Sequence, residues 1–375
     1  MYRIRTASVS KSQLESEQAR RVREYFGTVD TVDEPPLVTD YAEGKTILHI
    51  SEKRGQSLNL CASMNEDYVC CGVHVLKSVS NCPFDCSYCV LQDYLTNASI
   101  QVVADTHGMI EEIRARTARE PWRFFRIGTW VLGDSLAFEP LTRSASELVL
   151  EFSKLRNCVL ELKTKSNHVD SLLDLPHGGR TVLAWSLNPE HVIATEEHRT
   201  ASLDRRLAAL RKSVHAGYPV ALHFDPMLVF GGWEDAYENL VRDVFAVVPS
   251  ERIAWISIGS LRFNPEMKKS IELRFPDSPI TAAEMILGGD GKLRYVKPLR
   301  VALYSHLYRA IRKYGGSDPF VYLCMERRDV WKKVMGLELR NIGHHDFEIT
   351  ASLDRRFPGL VHQKPEMQLY ESLQY

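Results

Sequence analysis

The chain has 375 residues, 44% of them hydrophobic and 25% charged, which suits one large folded domain or two and rules out a mostly disordered chain. Lysine and arginine total 47 against 48 acids, so the formal net charge of −1 gives no global attraction to nucleic acid and any basic surface must be local. No run of about 18 apolar residues marks a membrane span, and the N-terminus lacks the apolar stretch of a secretory signal. A cytoplasmic chain with no membrane partner is expected, its thiols reduced.

Residues 1 to about 45 are charged and then turn-rich (TVDEPPLVTD), as in an N-terminal extension folded over something larger. The pattern predicts an amphipathic helix over 11–25, capped by Ser12 with Glu15 in the box position. From about residue 72, short β-rich runs (GVHVL, RFFRIGTW, CVLELKT, TVLAWSL, YPVALHF, RIAWISI) alternate with amphipathic stretches such as EPLTRSASELVLEFSKLR, LDRRLAALRKSVHAG and WEDAYENLVRDVFAVV. That alternation is the mark of parallel βαβ units. The fold class is therefore α/β: six strands suit a partial or full parallel β/α barrel, with functional groups at the strands' C-terminal ends. Beyond about residue 285 the chain turns basic, and from Lys292 to Lys333 eleven Lys and Arg face three acids. The tail from about Arg356 reads as a loosely ordered end. These shifts divide the chain into an N-terminal extension (1–70), a barrel core (71–285) and a basic C-terminal region with its tail (286–375). TASLDRR occurs at 200–206 and again at 350–356, but without flanking similarity the two copies define no repeat architecture.

Three of the eight cysteines crowd into one loop, Cys82-Pro-Phe-Asp-Cys86-Ser-Tyr-Cys89, directly after the first barrel strand. Three thiolates are soft ligands that can hold three corners of a [4Fe–4S] cube and leave the fourth iron open. A zinc site completed by Cys70, Cys71 or His74 is the other reading, although structural zinc cysteines usually come as two separated pairs. The remaining cysteines share no spacing and read as small core residues.

A C-x3-C-x2-C loop after the first strand of a β/α barrel resembles the radical SAM superfamily. The resemblance implies that the open iron is chelated by S-adenosylmethionine, whose reductive cleavage releases a 5′-deoxyadenosyl radical that abstracts hydrogen. More narrowly, CSYCVLQDYL, KTKSNHVDSLLD, AWSLNPEHVI, DRRLAALRKSVHAGYPV, GGWEDAY and LRFNPEMKKSIELRFP are similar to segments of the spore photoproduct lyases, over roughly residues 70–335. By that resemblance Cys82, Cys86 and Cys89 bind the cluster, Lys165 pairs with the cofactor's carboxylate and Ser186 hydrogen-bonds the cofactor. A pyrimidine base or DNA photoproduct is the implied substrate, and a flavodoxin- or ferredoxin-like protein the one-electron reductant. The lyases carry a hydrogen-donating cysteine after the second barrel strand; here that position falls near Val131, with Asp134 retained. Tyr88, Cys158 and Cys324 are the alternative donors, and Tyr88 is taken as the radical or hydrogen relay.

His223 and Asp225, at the end of the fifth strand, are candidates for substrate or cofactor contact, with helix capping an equal reading for Asp225. His344 and His345 read as surface residues. GGDGKLRY is a hairpin turn at Gly-Asp-Gly, and its Lys292 and Arg294 join a basic face able to position DNA or a nucleotide. Two other functions fit the same residues: radical modification of a metabolite or undamaged nucleic acid, and a non-enzymatic iron–sulfur or zinc protein.

Overall fold

The computed structural model describes residues 2–61 and 68–373. The run CVLELKT forms a strand with the bounds read from the sequence, and it sits near the middle of an eight-stranded sheet. Seven strands of that sheet run parallel: β1 (His74–Leu76), β2 (Phe125–Gly128), β3 (Cys158–Thr164), β4 (Thr181–Ser186), β5 (Val220–Met227), β6 (Ile253–Ser260) and β7 (Val321–Leu323). The eighth, Leu58–Leu60, pairs antiparallel with β1 at one edge. β3, β4 and β6 are buried almost throughout, as strands sandwiched between helices and barrel interior must be, and their Val, Ile, Leu and Trp content supplies the apolar surface.

The barrel is partial. Its edge strands are β7 and Leu58–Leu60, so the sheet curls into a half-barrel. A short antiparallel ladder joins Val69 to Glu326 and Tyr68 to Arg327, tying the chain just past β7 to the chain before β1. That ladder carries Cys324 toward Cys70 and Cys71.

Helices Leu203–His215 and Trp233–Val247 follow the expected amphipathic spacing; the second buries Trp233, Tyr237, Leu240, Val241 and Val244. The first ends at Ala216, and Gly217 supplies the positive φ of 90° that reverses the chain. The stretch 139–156 divides into two helices, Glu139–Thr142 and Ser144–Phe152, at Arg143 with φ 58°. The Glu139 carboxylate accepts from the amides of Ala145 (2.8 Å) and Ser146 (3.2 Å), capping the second helix from outside it.

The N-terminal residues build a second sheet in the order Asp30–Val32, Thr6–Ser10, Ile47–Ser51, Ile100–Val103, Val79–Ser80, so it draws two strands from beyond residue 70. The expected helix over 11–25 is shorter, Glu17–Phe26, and its cap is Ser16, whose hydroxyl accepts from the Ala19 amide at 3.2 Å. Ser12 is committed elsewhere, donating to Glu52 at 2.5 Å. The described part of the tail is ordered: Met367–Glu371 is helical, and buried Tyr370 accepts from the Phe124 amide at 3.1 Å. Among the described residues no helix is long and apolar enough to cross a membrane.

Candidate active site

After β1 the chain crosses into the N-terminal sheet as Val79–Ser80, then turns at Asn81 with φ 62°. Asparagine tolerates this left-handed conformation because its amide bonds locally: Oδ1 accepts from the Cys82 amide (2.8 Å) and Nδ2 donates to the Ala98 carbonyl (2.6 Å). Cys82 and Phe84 belong to the apolar core of the N-terminal sheet. Buried Lys45 donates to the carbonyls of Cys82 (3.0 Å) and Phe84 (2.5 Å). Cys86 pairs antiparallel with Glu197, and the Ser87 amide donates to the Glu196 carbonyl at 2.9 Å. The cysteine loop is therefore clamped from both sides, by the N-terminal sheet and by the connection leaving β4.

The three thiols line a cavity of about 320 Å³ at the C-terminal ends of the strands, a size usual for a small-molecule site. Tyr88, Lys165 and Ser186 line it too, the last two at the ends of β3 and β4. Burial pushes Cys82 up to about 12 and Cys86 well up, and each is raised further by neighbouring thiols. Tyr41 donates to Cys89 Sγ at 3.4 Å, and none of the three is in a disulfide. Among the described residues no three or more His, Cys, Asp or Glu side chains gather around one point as a single metal ion would require. Three thiols on one short loop are soft donors of the kind that suit an iron–sulfur cluster.

Sequence reasoning missed the carboxylate that organises this wall. Fully buried Glu197 pairs with Arg206 at 2.6 Å, lies 3.8 Å from Lys165 Nζ, and accepts from Tyr88 Oη and from Asn188 Nδ2 (2.9 Å). Burial opposes its charge, but Arg206 and then Lys165 hold it near 2. Arg206 reads as a surface residue of an amphipathic helix, yet it is buried and also donates to the carbonyls of Ser186 and Ala201, both at 2.9 Å. Lys45 gave no signal either, lying in the N-terminal segment 36 to 39 residues before the loop groups it bonds.

The structure sorts the remaining candidates. His223 is buried against Glu161 at 2.6 Å and does not line the cavity, so it makes no substrate contact there. Asp225 does line it, bound bidentately by Arg262 (2.9 and 3.1 Å) and capping no helix. Asp134 organises the end of β3, accepting from the amides of Lys165 (2.7 Å) and Leu136 (3.0 Å) and from the Thr164 hydroxyl (2.6 Å). Val131 lines the cavity beside Trp130. Cys158 starts β3, at the far end from the cavity, and is buried; Cys324 and Tyr88 do face the cavity. His345 is not a surface residue: it is buried among Phe320, Tyr322 and Trp331 and bonds the Cys70 carbonyl at 3.0 Å, because its helix Ile342–Arg356 packs back on the barrel. The basic count of the C-terminal region overstates its surface, since Arg294 and Arg300 are buried in pairs with Asp290 (2.5 Å) and Glu326 (2.8 Å). The Gly-Asp-Gly turn does join a hairpin, Met285–Leu287 with Leu293–Tyr295.

A parallel half-barrel bearing a C-x3-C-x2-C loop after its first strand is the architecture of the radical SAM class. Within it, this chain belongs to the spore photoproduct lyase family, whose model matches residues 74–298. It is 28% identical to the spore photoproduct lyase of Bacillus subtilis (strain 168) over 218 residues, which cover 56% of this chain and 63% of that protein. It is 26% identical to that of Geobacillus sp. (strain Y412MC61) over 214 residues, with the same two shares, 56% and 63%. The match thus spans under two thirds of the length of either relative. Among solved structures, a spore photoproduct lyase complexed with dinucleoside spore photoproduct superposes with a TM-score of 0.74 at 23% identity, covering 85% of this chain and 98% of that one. A lyase mutant with bound AdoMet and the same dinucleoside gives 0.73 at 23% identity over the same shares, 85% and 98%. These superpositions establish the shared fold.

Proposed function

We propose that the chain is a radical S-adenosylmethionine enzyme that holds a [4Fe–4S] cluster on Cys82, Cys86 and Cys89 and acts on a pyrimidine base or DNA photoproduct. One observation carries the reading: three thiols, two buried and one half-buried, open on a single cavity beside a lysine and a serine from adjacent strand ends. When bound, the cluster would pass one electron to S-adenosylmethionine, breaking a sulfonium C–S bond to give a 5′-deoxyadenosyl radical that takes hydrogen from the substrate.

The chain's own residues have distinct tasks around that chemistry. Lys165 offers an ammonium to the cofactor's carboxylate, and Ser186 a hydroxyl. Glu197 orients Lys165 and Tyr88 together, and the position of Tyr88 on the cavity wall supports a role as hydrogen relay. A flavodoxin- or ferredoxin-like protein in a reducing cytoplasm would supply the electron. Exposed cations of the C-terminal region, Arg328 and Lys333 among them, would hold a DNA backbone, with the target base turned out of its stack to reach the cavity. The dinucleoside photoproduct bound by the related structures supports this substrate class.

A second reading, radical modification of another substrate such as a metabolite or undamaged nucleic acid, is favoured by one observation: Val131 lines the cavity near the position that the resemblance gives to the donor thiol, and no cysteine lies between Cys89 and Cys158. Anaerobic reconstitution should load about four irons per chain, and Cys86→Ala should lose them. Release of 5′-deoxyadenosine, assayed with and without irradiated DNA, separates the readings. Cleavage with repair supports the lyase; cleavage without repair supports the second; zinc in place of iron, or no cleavage, ends both.

A further inference from the structure

β3 projects Glu161 and Lys163 toward the barrel interior at alternate positions, and Lys165 follows at the same two-residue step. Two of the three are already satisfied. Glu161 accepts from the Trp130 and Trp255 indoles (3.0 and 3.3 Å) and meets His223, while Lys165 faces Glu197. Lys163 is the exception: its ammonium rests over the Trp130 ring, 3.6 Å from the centroid, and no carboxylate lies within 4.0 Å of it among the described residues.

Lys292, on the hairpin turn, lines the same cavity and likewise has no ion-pair partner among the described residues. The two lysines flank the Asp225–Arg262 pair, Lys163 feeling the Asp225 charge and Lys292 that of Arg262. Arg262 cannot serve a ligand with its fork, because that fork is closed on Asp225 and its remaining contacts are the Ser260 carbonyl (3.0 Å) and Cys324 Sγ (3.4 Å). Lys163 stands two residues before Lys165 on the same face of β3, and Lys292 is brought to the cavity by the hairpin turn.

Both lysines are partly buried, and although Asp225 and Glu161 act on Lys163 and Asp290 on Lys292, neither ammonium has a carboxylate within ion-pair distance among the described residues, so an anion in the cavity would give each a direct partner. A planar carboxylate is best gripped by a free arginine fork, which is missing here; point charges from two directions suit a tetrahedral phosphate. We infer that Lys163 and Lys292 form a phosphate subsite in this cavity, and that the substrate enters as a nucleotide phosphate ester. This rests on the substrate reading above and adds its charged handle.

The test compares thymidine, thymidine 5′-monophosphate and thymidine 3′-monophosphate binding to the reconstituted holoprotein with S-adenosylmethionine present, by equilibrium dialysis. At least one monophosphate should bind about tenfold tighter than thymidine, a charge-assisted contact being the difference. Lys163→Gln and Lys292→Gln should each erase most of that preference while leaving thymidine affinity in place, and Lys163→Arg should keep part of it. Near-ultraviolet circular dichroism confirms the fold of each variant. Equal or absent binding of all three probes by the wild type overturns the subsite, as does a preference that survives both glutamine variants. A loss of S-adenosylmethionine affinity in Lys163→Gln would give the lysine to the cofactor and overturn it too. The radical reading fails separately: a lysine-dependent phosphate preference without 5′-deoxyadenosine release keeps the subsite and discards the chemistry.

Discussion

Lys45 Nζ donates to the Cys82 carbonyl at 3.0 Å across 37 residues of sequence, so the first cysteine of the loop is held by a side chain from the N-terminal sheet's neighbourhood. The same ammonium reaches the Phe84 carbonyl and lies 4.2 Å from the centre of the Tyr41 ring. The cysteine loop and the N-terminal sheet are thus one mechanical unit.

Replacing that donor tests the unit. Lys45→Met leaves the Cys82 carbonyl without its donor and the Phe84 carbonyl with only the weak Cys82 thiol contact, and should lower stability by about 1–3 kcal/mol in urea unfolding of the iron-free protein. It should also reduce the iron retained after reconstitution, although all three thiols remain. Wild-type iron content in the variant would show that the loop holds its own shape.

Glu161 makes stability depend on acid. Burial raises its pKa, but His223, then Lys163 and Arg126, bring it down to about 2. Its folded value lies below the unfolded value of about 4.3, so its contribution is present above that pH and is lost as pH falls toward 2. The share lost between pH 6 and pH 3 is about 2 kcal/mol. Glu161→Gln should be less stable than wild type at pH 6, with the gap narrowing at pH 3. Parallel urea curves at the two pH values check it, and a gap that stays constant refutes the assignment.

Val131 offers a direct substitution. Val131→Cys puts a weak S–H bond at a position that already lines the cavity. The ratio of repaired dinucleoside photoproduct to 5′-deoxyadenosine should rise several-fold over the wild type. A ratio unchanged by the new thiol would mean that hydrogen return is not what limits repair.

Gly343 explains the ordered tail. A Cβ there would run into the Tyr370 carbonyl, so the closing helix Met367–Glu371 can dock only because residue 343 has no side chain. Gly343→Ala should detach the tail, costing about 1–3 kcal/mol, and should expose residues beyond Arg356 to limited proteolysis. A tail equally resistant in the variant would place its anchor elsewhere.

Much of the frame is legible along the chain. CVLELKT appears as a strand with its own bounds, and WEDAYENLVRDVFAV as a helix, because apolar period is a property of neighbouring residues. The cysteine loop is legible for the same reason: its spacing is local chemistry. TASLDRR shows where this stops. At 200–206 it spans the start of a helix at Leu203 and sends Arg206 inward to Glu197; at 350–356 it forms the end of another helix, and Arg356 donates to the Ala254 carbonyl at 3.2 Å. Identical residues take opposite ends of a helix because their partners lie elsewhere in the chain.

Periodicity and cysteine spacing, both short-range, were enough to specify a parallel α/β barrel and a three-thiol loop after its first strand. Which charges are consumed inside the protein and which are left facing the cavity depends on contacts such as Glu161–His223 and Tyr88–Glu197, separated by 62 and 109 residues. Such pairs leave no periodic trace in a sequence, since burial and ion pairing are settled only when the strands that carry them come together.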